Sequence, residues 1–253
     1  MAIDGRLAEA YVALGTVSGL LERDWAAAEQ SFRAAIKMNP HLAMAHHWFA
    51  IDCLMPLGRL DEALQVIQVA LDRDPTSVAI NTHLGLLFHM RREYDRAVRQ
   101  FQLALDLEPD FFRAHWGLGH SYLQKGLLDE AVACFGRTQT LSDYRCFRMG
   151  ALGYCYARMG ERDKALTVLS DLERAALTSY ISPYNFVEIH MGFGDFDAAL
   201  DWLQRADADR SRRVNWVKID PILDQLRNDA RFLKIVASTG LAKEPAADTA
   251  GAV

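Results

Sequence analysis

The sequence has few features of a membrane, secreted or disulfide-linked protein. No apolar run approaches the ~18–20 residues that span a bilayer. The N-terminus lacks a basic region followed by an apolar stretch, so it does not resemble a signal peptide. The four cysteines, Cys53, Cys134, Cys146 and Cys155, have neither disulfide-framework nor metal-site spacing. We interpret them as small buried thiols and expect a cytoplasmic protein.

An excess of charge of one sign is also absent. The chain has 28 Lys and Arg against 33 Asp and Glu, a net charge of -5, which does not favour a nucleic-acid partner. One basic cluster contains Arg210, Arg212, Arg213 and Lys218, with Trp216 among them. A phosphate or an acidic partner is one interpretation. We favour a solvated junction near the C-terminus, with Trp216 packed beneath it.

Motifs for catalysis and cofactor binding are incomplete. Gly117-Leu-Gly119 and Gly192-Phe-Gly194 lack the third glycine of a dinucleotide loop. Histidines on a helix bind a metal best when they lie three or four residues apart. The pairs here are adjacent, six apart or five apart: His46-His47, His83 with His89, and His115 with His120. We therefore expect no enzyme activity, no cofactor and no metal.

The chain does have a regular period. Five alanines follow one another at intervals of 34 residues: Ala63, Ala97, Ala131, Ala165 and Ala199. Glycines recur 12 residues before three of these alanines, and large apolar residues recur four residues after four of them. This spacing predicts one supersecondary unit that is copied along the chain, each copy packing on the next.

The unit resembles the tetratricopeptide repeat. Leu118-Gly119, Tyr122, Ala131 and Phe135 match the pattern of that repeat, and Pro109 ends the copy before. The resemblance implies pairs of helices that approach closely at the glycine and the alanine. We expect six copies, at about 8–42, 43–77, 78–111, 112–145, 146–179 and 180–213.

The first two copies are one residue longer than the others. We expect the extra residue in the turn between the two helices, near Gly19–Arg23 and near Pro56-Leu57. The sixth copy is degenerate, because Val187 replaces the expected glycine.

A different segment follows the repeats. Asp220-Pro221 interrupts any helix, and apolar residues at helical spacing then predict a capping helix over 222–239. The solenoid is expected to occupy residues 1–241. Residues 242–253 contain small, polar and proline residues, and we expect a disordered tail there.

A wider resemblance covers residues 4 to 241. The stretches 45–64, 111–135, 179–203 and 214–236 resemble the C-terminal tetratricopeptide domain of multidomain bacterial regulators. Those regulators carry a winged-helix, a serine/threonine kinase or a nucleotide cyclase domain before the repeats. No such domain is present in this sequence, so the resemblance does not imply DNA binding or catalysis. Ala230 departs from the pattern, which usually has proline there.

The predicted fold is all-α: a right-handed superhelix, or α-solenoid, of about six helix pairs with a C-terminal capping helix. The first helix of each copy should line a concave groove. Our candidate groove residues are Thr82, Leu86, His89, Met90, Arg113, Trp116, His120, Gln124, Tyr154, Arg158, Tyr184 and Glu188.

Two functions suit such a groove. Trp, Tyr, Met and Arg dominate binding energy at interfaces, so the first hypothesis is a non-catalytic scaffold that binds a partner's peptide or helix. The alternative is a regulatory sensor or self-association module of a bacterial signalling or transcription-regulator system, in which the chain forms a homo-oligomer.

Overall fold

The computed structural model describes residues 5–137 and 145–242, and the described residues are helical without a strand. The α-helices are α1 (Gly5–Val17), α2 (Trp25–Met38), α3 (Ala43–Phe49), α4 (Leu60–Arg73), α5 (Val78–Met90), α6 (Tyr94–Leu107), α7 (Phe112–Gln124), α8 (Leu128–Arg137), α9 (Arg145–Arg158), α10 (Arg162–Ala176), α11 (Tyr184–Phe193), α12 (Phe196–Ala208) and α13 (Ala230–Ser238).

Helices α1 to α12 form six pairs within the described ranges, and each pair packs on the next. The periodic alanines lie at the centres of these contacts and are fully buried. The periodic glycines make room for an aromatic ring on the second helix of the pair. A Cβ added at Gly119 would lie 2.6 Å from the ring of Phe135. The 34-residue pattern is therefore a packing pattern, as the sequence predicts.

A repeated polar residue connects each of three copies to the copy before it. His46 Nε2 donates to the carbonyl oxygen of Pro40 at 3.1 Å, and His115 Nε2 does so to Pro109 at 2.7 Å. In the copy between them, Asn81 donates to the carbonyl oxygen of the corresponding proline, Pro75, at 3.0 Å. His46 and His115 therefore support the turn between copies.

The extra residue of the first two copies is absorbed by a π-helical turn. In the first copy this turn covers Ser18–Glu22, which overlaps the predicted position. In the second copy it covers Ala50–Leu54, inside the first helix and before Pro56, so the predicted position near Pro56-Leu57 is wrong. The N–H of Met55 donates to the carbonyl oxygen of Ala50, five residues earlier, at 2.9 Å. A π turn accepts one more residue without breaking the hydrogen-bond ladder.

The predicted helix over 222–239 is divided into two pieces. Pro221–Leu226 is a 3-10 helix, and α13 begins only at Ala230. The break arises because Asp229 is a new N-cap, whose carboxylate accepts from the N–H of Arg231 at 2.7 Å. Phe232 and Ile235 of α13 are buried against the last helix pair, which α13 covers. Residues 243–253, where we expect a disordered tail, lie outside the described residues.

The two ends of the stack are in contact. Arg23, after the first π turn, forms an ion pair with Asp207 at the end of α12, at 2.6 Å. Trp25 Nε1 donates to the carbonyl oxygen of Thr239 at 2.9 Å. The stack of helix pairs is thus closed into a ring by contacts more than 180 residues apart in sequence.

Candidate functional site

The concave face of the ring is filled by the chain itself. We call residues 209–226 the closing segment. Trp216 and Ile219 of this segment pack into the same core as Leu86 and Met90 of α5. Val217, on the other side of the segment, is fully buried against the last copies and α13. The closing segment therefore occupies the position that a bound peptide would take in an open groove.

Arg213 of the closing segment lies in a buried ionic cluster. Its guanidinium donates to Glu188 of α11 and, at 3.0 Å, to Asp220. Tyr184 donates its hydroxyl to the same oxygen of Asp220 at 2.9 Å. The Arg213 side chain is only 12% exposed, and its Cζ lies 5.1 Å from the centroid of the Trp116 ring. Arg213 is therefore a core residue, and the predicted solvated junction is wrong there.

Burial controls the protonation of this cluster. It raises the pKa of Glu188 to about 7, although the ion pair with Arg213 acts in the opposite direction. Burial also raises the pKa of Tyr184 well above its usual range, so the hydroxyl keeps its proton and donates it. His120 Nε2 lies 3.6 Å from Glu188, and burial holds the pKa of His120 well below its ordinary value.

Backbone atoms of the closing segment are recognised as well. Arg92, in the turn between α5 and α6, donates to the carbonyl oxygen of Ile219 at 2.8 Å and pairs with Asp224 at 2.6 Å. Lys218 donates to the carbonyl oxygen of Leu57 at 3.1 Å. Arg92 has a φ of 64°, a left-handed conformation that directs the chain through this tight turn.

The structure places the twelve candidate groove residues in two groups. Seven are buried in the ring: Thr82, Leu86, His89, Met90, His120, Tyr184 and Glu188. Trp116, Gln124 and Tyr154 are half-buried, while Arg113 and Arg158 are exposed. A role of these residues in partner binding remains a prediction, and only the second group is accessible while the closing segment is in place.

An open cleft of about 420 Å³ remains between α1 and α3. Apolar side chains form its walls: Val12, Val17, Leu20, Met44 and Trp48. Asp52 and Arg212 lie in the same cleft, so a charged pair stands among apolar walls. The cleft has the composition of a site for an apolar side chain that is next to a polar group.

Asp52 is the most buried charged group of the cleft, with a side chain only 3% exposed. Thr16 donates to it at 3.2 Å and Arg212 at 3.3 Å. Burial raises the pKa of Asp52 to about 6, while the charges of Arg212 and Arg113 oppose that rise. Arg212, with a side chain 48% exposed, has capacity for a further acceptor.

Sequence reasoning missed this cleft. The available signal was Asp52, the single charged residue in the otherwise apolar stretch Phe49–Met55. An ionisable side chain inside an apolar helix needs a partner when it is buried. The partner, Arg212, is 160 residues away in sequence, so local patterns did not indicate it.

The histidines that we considered as metal pairs have other contacts. His47 Nε2 and His83 Nδ1 lie 2.6 Å apart, and His89 Nδ1 lies 3.1 Å from Ser121 Oγ. Burial lowers the pKa of His47 and of His89 to about 4, and that of His83 well below its ordinary value. Within residues 5–137 and 145–242, no group of three or more His, Cys, Asp or Glu side chains is arranged to hold a metal ion.

A family model described as tetratricopeptide repeat matches residues 22–78 and 84–141. The chain contains tetratricopeptide repeats. A search of the curated proteins found no match. The proteins of this fold generally mediate protein–protein interaction, and among the described residues no helix has the length and apolar character of a membrane span.

Solved structures share the fold. PilF of Pseudomonas aeruginosa is 17% identical, with a TM-score of 0.58 over 92% of this chain and 97% of that one. A thermophilic tetratricopeptide protein of Thermus thermophilus is 20% identical, with a TM-score of 0.59 over 78% and 97%. MamA of Desulfovibrio magneticus RS-1 is 18% identical, with a TM-score of 0.55 over 68% and 97%. The predicted fold class is confirmed; the resemblance to multidomain regulators stays a prediction.

Proposed function

We propose that the protein is a non-catalytic interaction module of the cytoplasm, and that it binds a segment of a partner protein at the open cleft between α1 and α3. The observation that supports this proposal most directly is the cleft itself. Its apolar walls include Met44 and Trp48, two residue types that are enriched at interfaces, and it remains open while the rest of the concave face is filled.

The charges in the cleft define the partner's chemistry. Arg212 is half exposed, and the exposed Arg113 is near enough to affect the pKa of Asp52. A partner segment with an apolar side chain for the cleft and an acidic residue beside it would complement these two arginines. The candidate groove residues Trp116 and Arg158 would then contact the same partner further along the concave face.

The test compares two surface variants. Met44→Glu introduces a charge into the cleft, where Met44 is 38% exposed, and Leu166→Glu introduces the same charge on α10, where Leu166 is 41% exposed. We expect proteins captured from lysate by the wild type and by Leu166→Glu to be absent with Met44→Glu. Quantitative mass spectrometry of the captured proteins, with thermal melts of both variants, checks this result. An identical set of captured proteins with all three forms would refute the proposed site.

A further inference from the structure

Exposed apolar residues form a stripe along α1 and the π turn that follows it. Leu7 is 48% exposed, Leu14 is 50%, Val17 is 41% and Leu21 is 64%. Ala10 is exposed between them. The steps from one to the next are three, four, three and four residues, the spacing that two packed helices share at their contact. We call these five residues the α1 stripe.

The stripe is on the side of α1 that faces away from the solenoid. The opposite side of the helix is packed: Ala8 and Val12 are buried, and a Cβ added at Gly15 would lie 2.9 Å from the ring of Phe32. Large aliphatic side chains are rarely exposed in a continuous row unless another surface covers them.

The α1 stripe is symmetric about Leu14. When a second copy of the helix is laid antiparallel on the first, Leu14 meets Leu14 and Leu7 meets Leu21. The same arrangement brings Arg6, just before the stripe, to Glu22, just after it, so opposite charges face each other at both ends. A parallel arrangement would instead place Arg6 on Arg6 and Glu22 on Glu22.

We propose that the α1 stripe is the interface of a two-fold symmetric homodimer, in which α1 of one copy packs antiparallel on α1 of the other. A surface that is complementary to itself under a two-fold axis forms a closed dimer. This dimer does not involve the cleft residue Met44 or any other candidate groove residue, so the proposal stands independently of the proposed partner site.

The chain's own C-terminal residues are a weaker candidate to cover the stripe. They follow Gly240, which lies beside Trp25 and Arg23, close to one end of the stripe. However, residues 243–253 contain a single large aliphatic side chain, Val253, against the three leucines and one valine of the stripe. A second copy supplies four such side chains in the matching register.

The first experiment measures mass against concentration, by sedimentation and by light scattering. The monomer mass is 28.4 kDa, and we expect the wild type to approach twice that value at high concentration. Leu14→Arg places two like charges on the two-fold axis and should raise the dissociation constant at least ~10-fold. Leu103→Arg is the matched control, because Leu103 is 53% exposed on α6 and should leave the dimer unchanged.

The second experiment tests the register by oxidative cross-linking at single introduced cysteines. In the antiparallel dimer Leu14→Cys meets itself and forms a covalent dimer, whereas Leu7→Cys faces Leu21 and does not. The wild type gives the background from the native cysteines, of which Cys53, Cys134 and Cys155 are buried. The proposal is overturned by a monomer at every concentration, by a dimer that Leu14→Arg leaves intact, or by equal cross-linking at both positions.

Discussion

At the residue scale, the burial of Arg213 distinguishes it from its neighbours in sequence. Arg210, Arg212 and Lys218 are exposed or half-buried, whereas Arg213 is enclosed by Glu188, Asp220 and the rings of Tyr184 and Trp116. A buried ion pair is costly to form but still more costly to break on one side, because the remaining charge has no solvent.

The variant Arg213→Met tests this role. It leaves the carboxylates of Glu188 and Asp220 without their cation, and we expect a loss of roughly 3–5 kcal/mol in the free energy of unfolding, measured with urea. Arg33→Met is the control, because Arg33 is 53% exposed in a surface pair with Glu29 and should cost less than about 1 kcal/mol. Equal losses for the two variants would show that Arg213 is not a structural charge.

At the element scale, the closing segment performs work that no single helix pair performs. Each pair buries its apolar face against the next pair, and the end faces and the concave face remain to be covered. The closing segment covers the concave face with Trp216, Val217 and Ile219, and α13 covers the last pair. The two are joined by Arg227, which donates to the carbonyl oxygen of Lys218 at 2.6 Å.

Truncation separates this role from that of the C-terminal residues. A chain that ends at Ala208 lacks the closing segment and α13, and we expect it to melt at least ~10 °C lower and to aggregate, because large apolar surfaces are exposed. A chain that ends at Ala242 keeps all of the described contacts and should melt like the full protein. Calorimetry and size-exclusion chromatography give both results; an unaltered melting temperature after truncation at Ala208 would rule out the closing role.

At the scale of the whole molecule, the ring encloses ionisable groups that respond to pH in opposite directions. His47, His83, His89 and His120 are buried, and burial lowers the pKa of all four from the ordinary value of 6.5. The unfolded chain therefore binds their protons first as the pH falls below about 6.5, which favours unfolding. Glu188 and Asp52, whose pKa values are raised to about 7 and about 6, take up protons in the folded state and oppose this effect.

Four histidines outweigh two carboxyls, so stability should fall between pH 7.5 and pH 5.5. We expect a melting temperature at least about 5 °C lower at pH 5.5. His83→Asn should reduce that difference, while His41→Asn, at an exposed position, should not change it. A melting temperature that rises on acidification would mean that the two carboxyls dominate.

The sequence by itself determined the repeating helix pairs and the positions of their contacts. The alanines at 34-residue intervals and the glycines opposite Phe101 and Phe135 are required wherever two helices approach closely, so they recur in the sequence with the period of the structure. Local capping by Asp229 was also readable in the sequence, but the helical spacing of the apolar residues around it concealed the break.

Only the tertiary structure decided what fills the concave face. The pairs Arg213 with Glu188, Arg212 with Asp52 and Trp25 with Thr239 join residues from 25 to 214 positions apart in sequence. A local pattern indicates which residues lie on one face of a helix, because that depends on the helical period alone. Whether solvent, a partner or the chain's own closing segment covers that face depends on the curvature of the whole stack, which brings its two ends together.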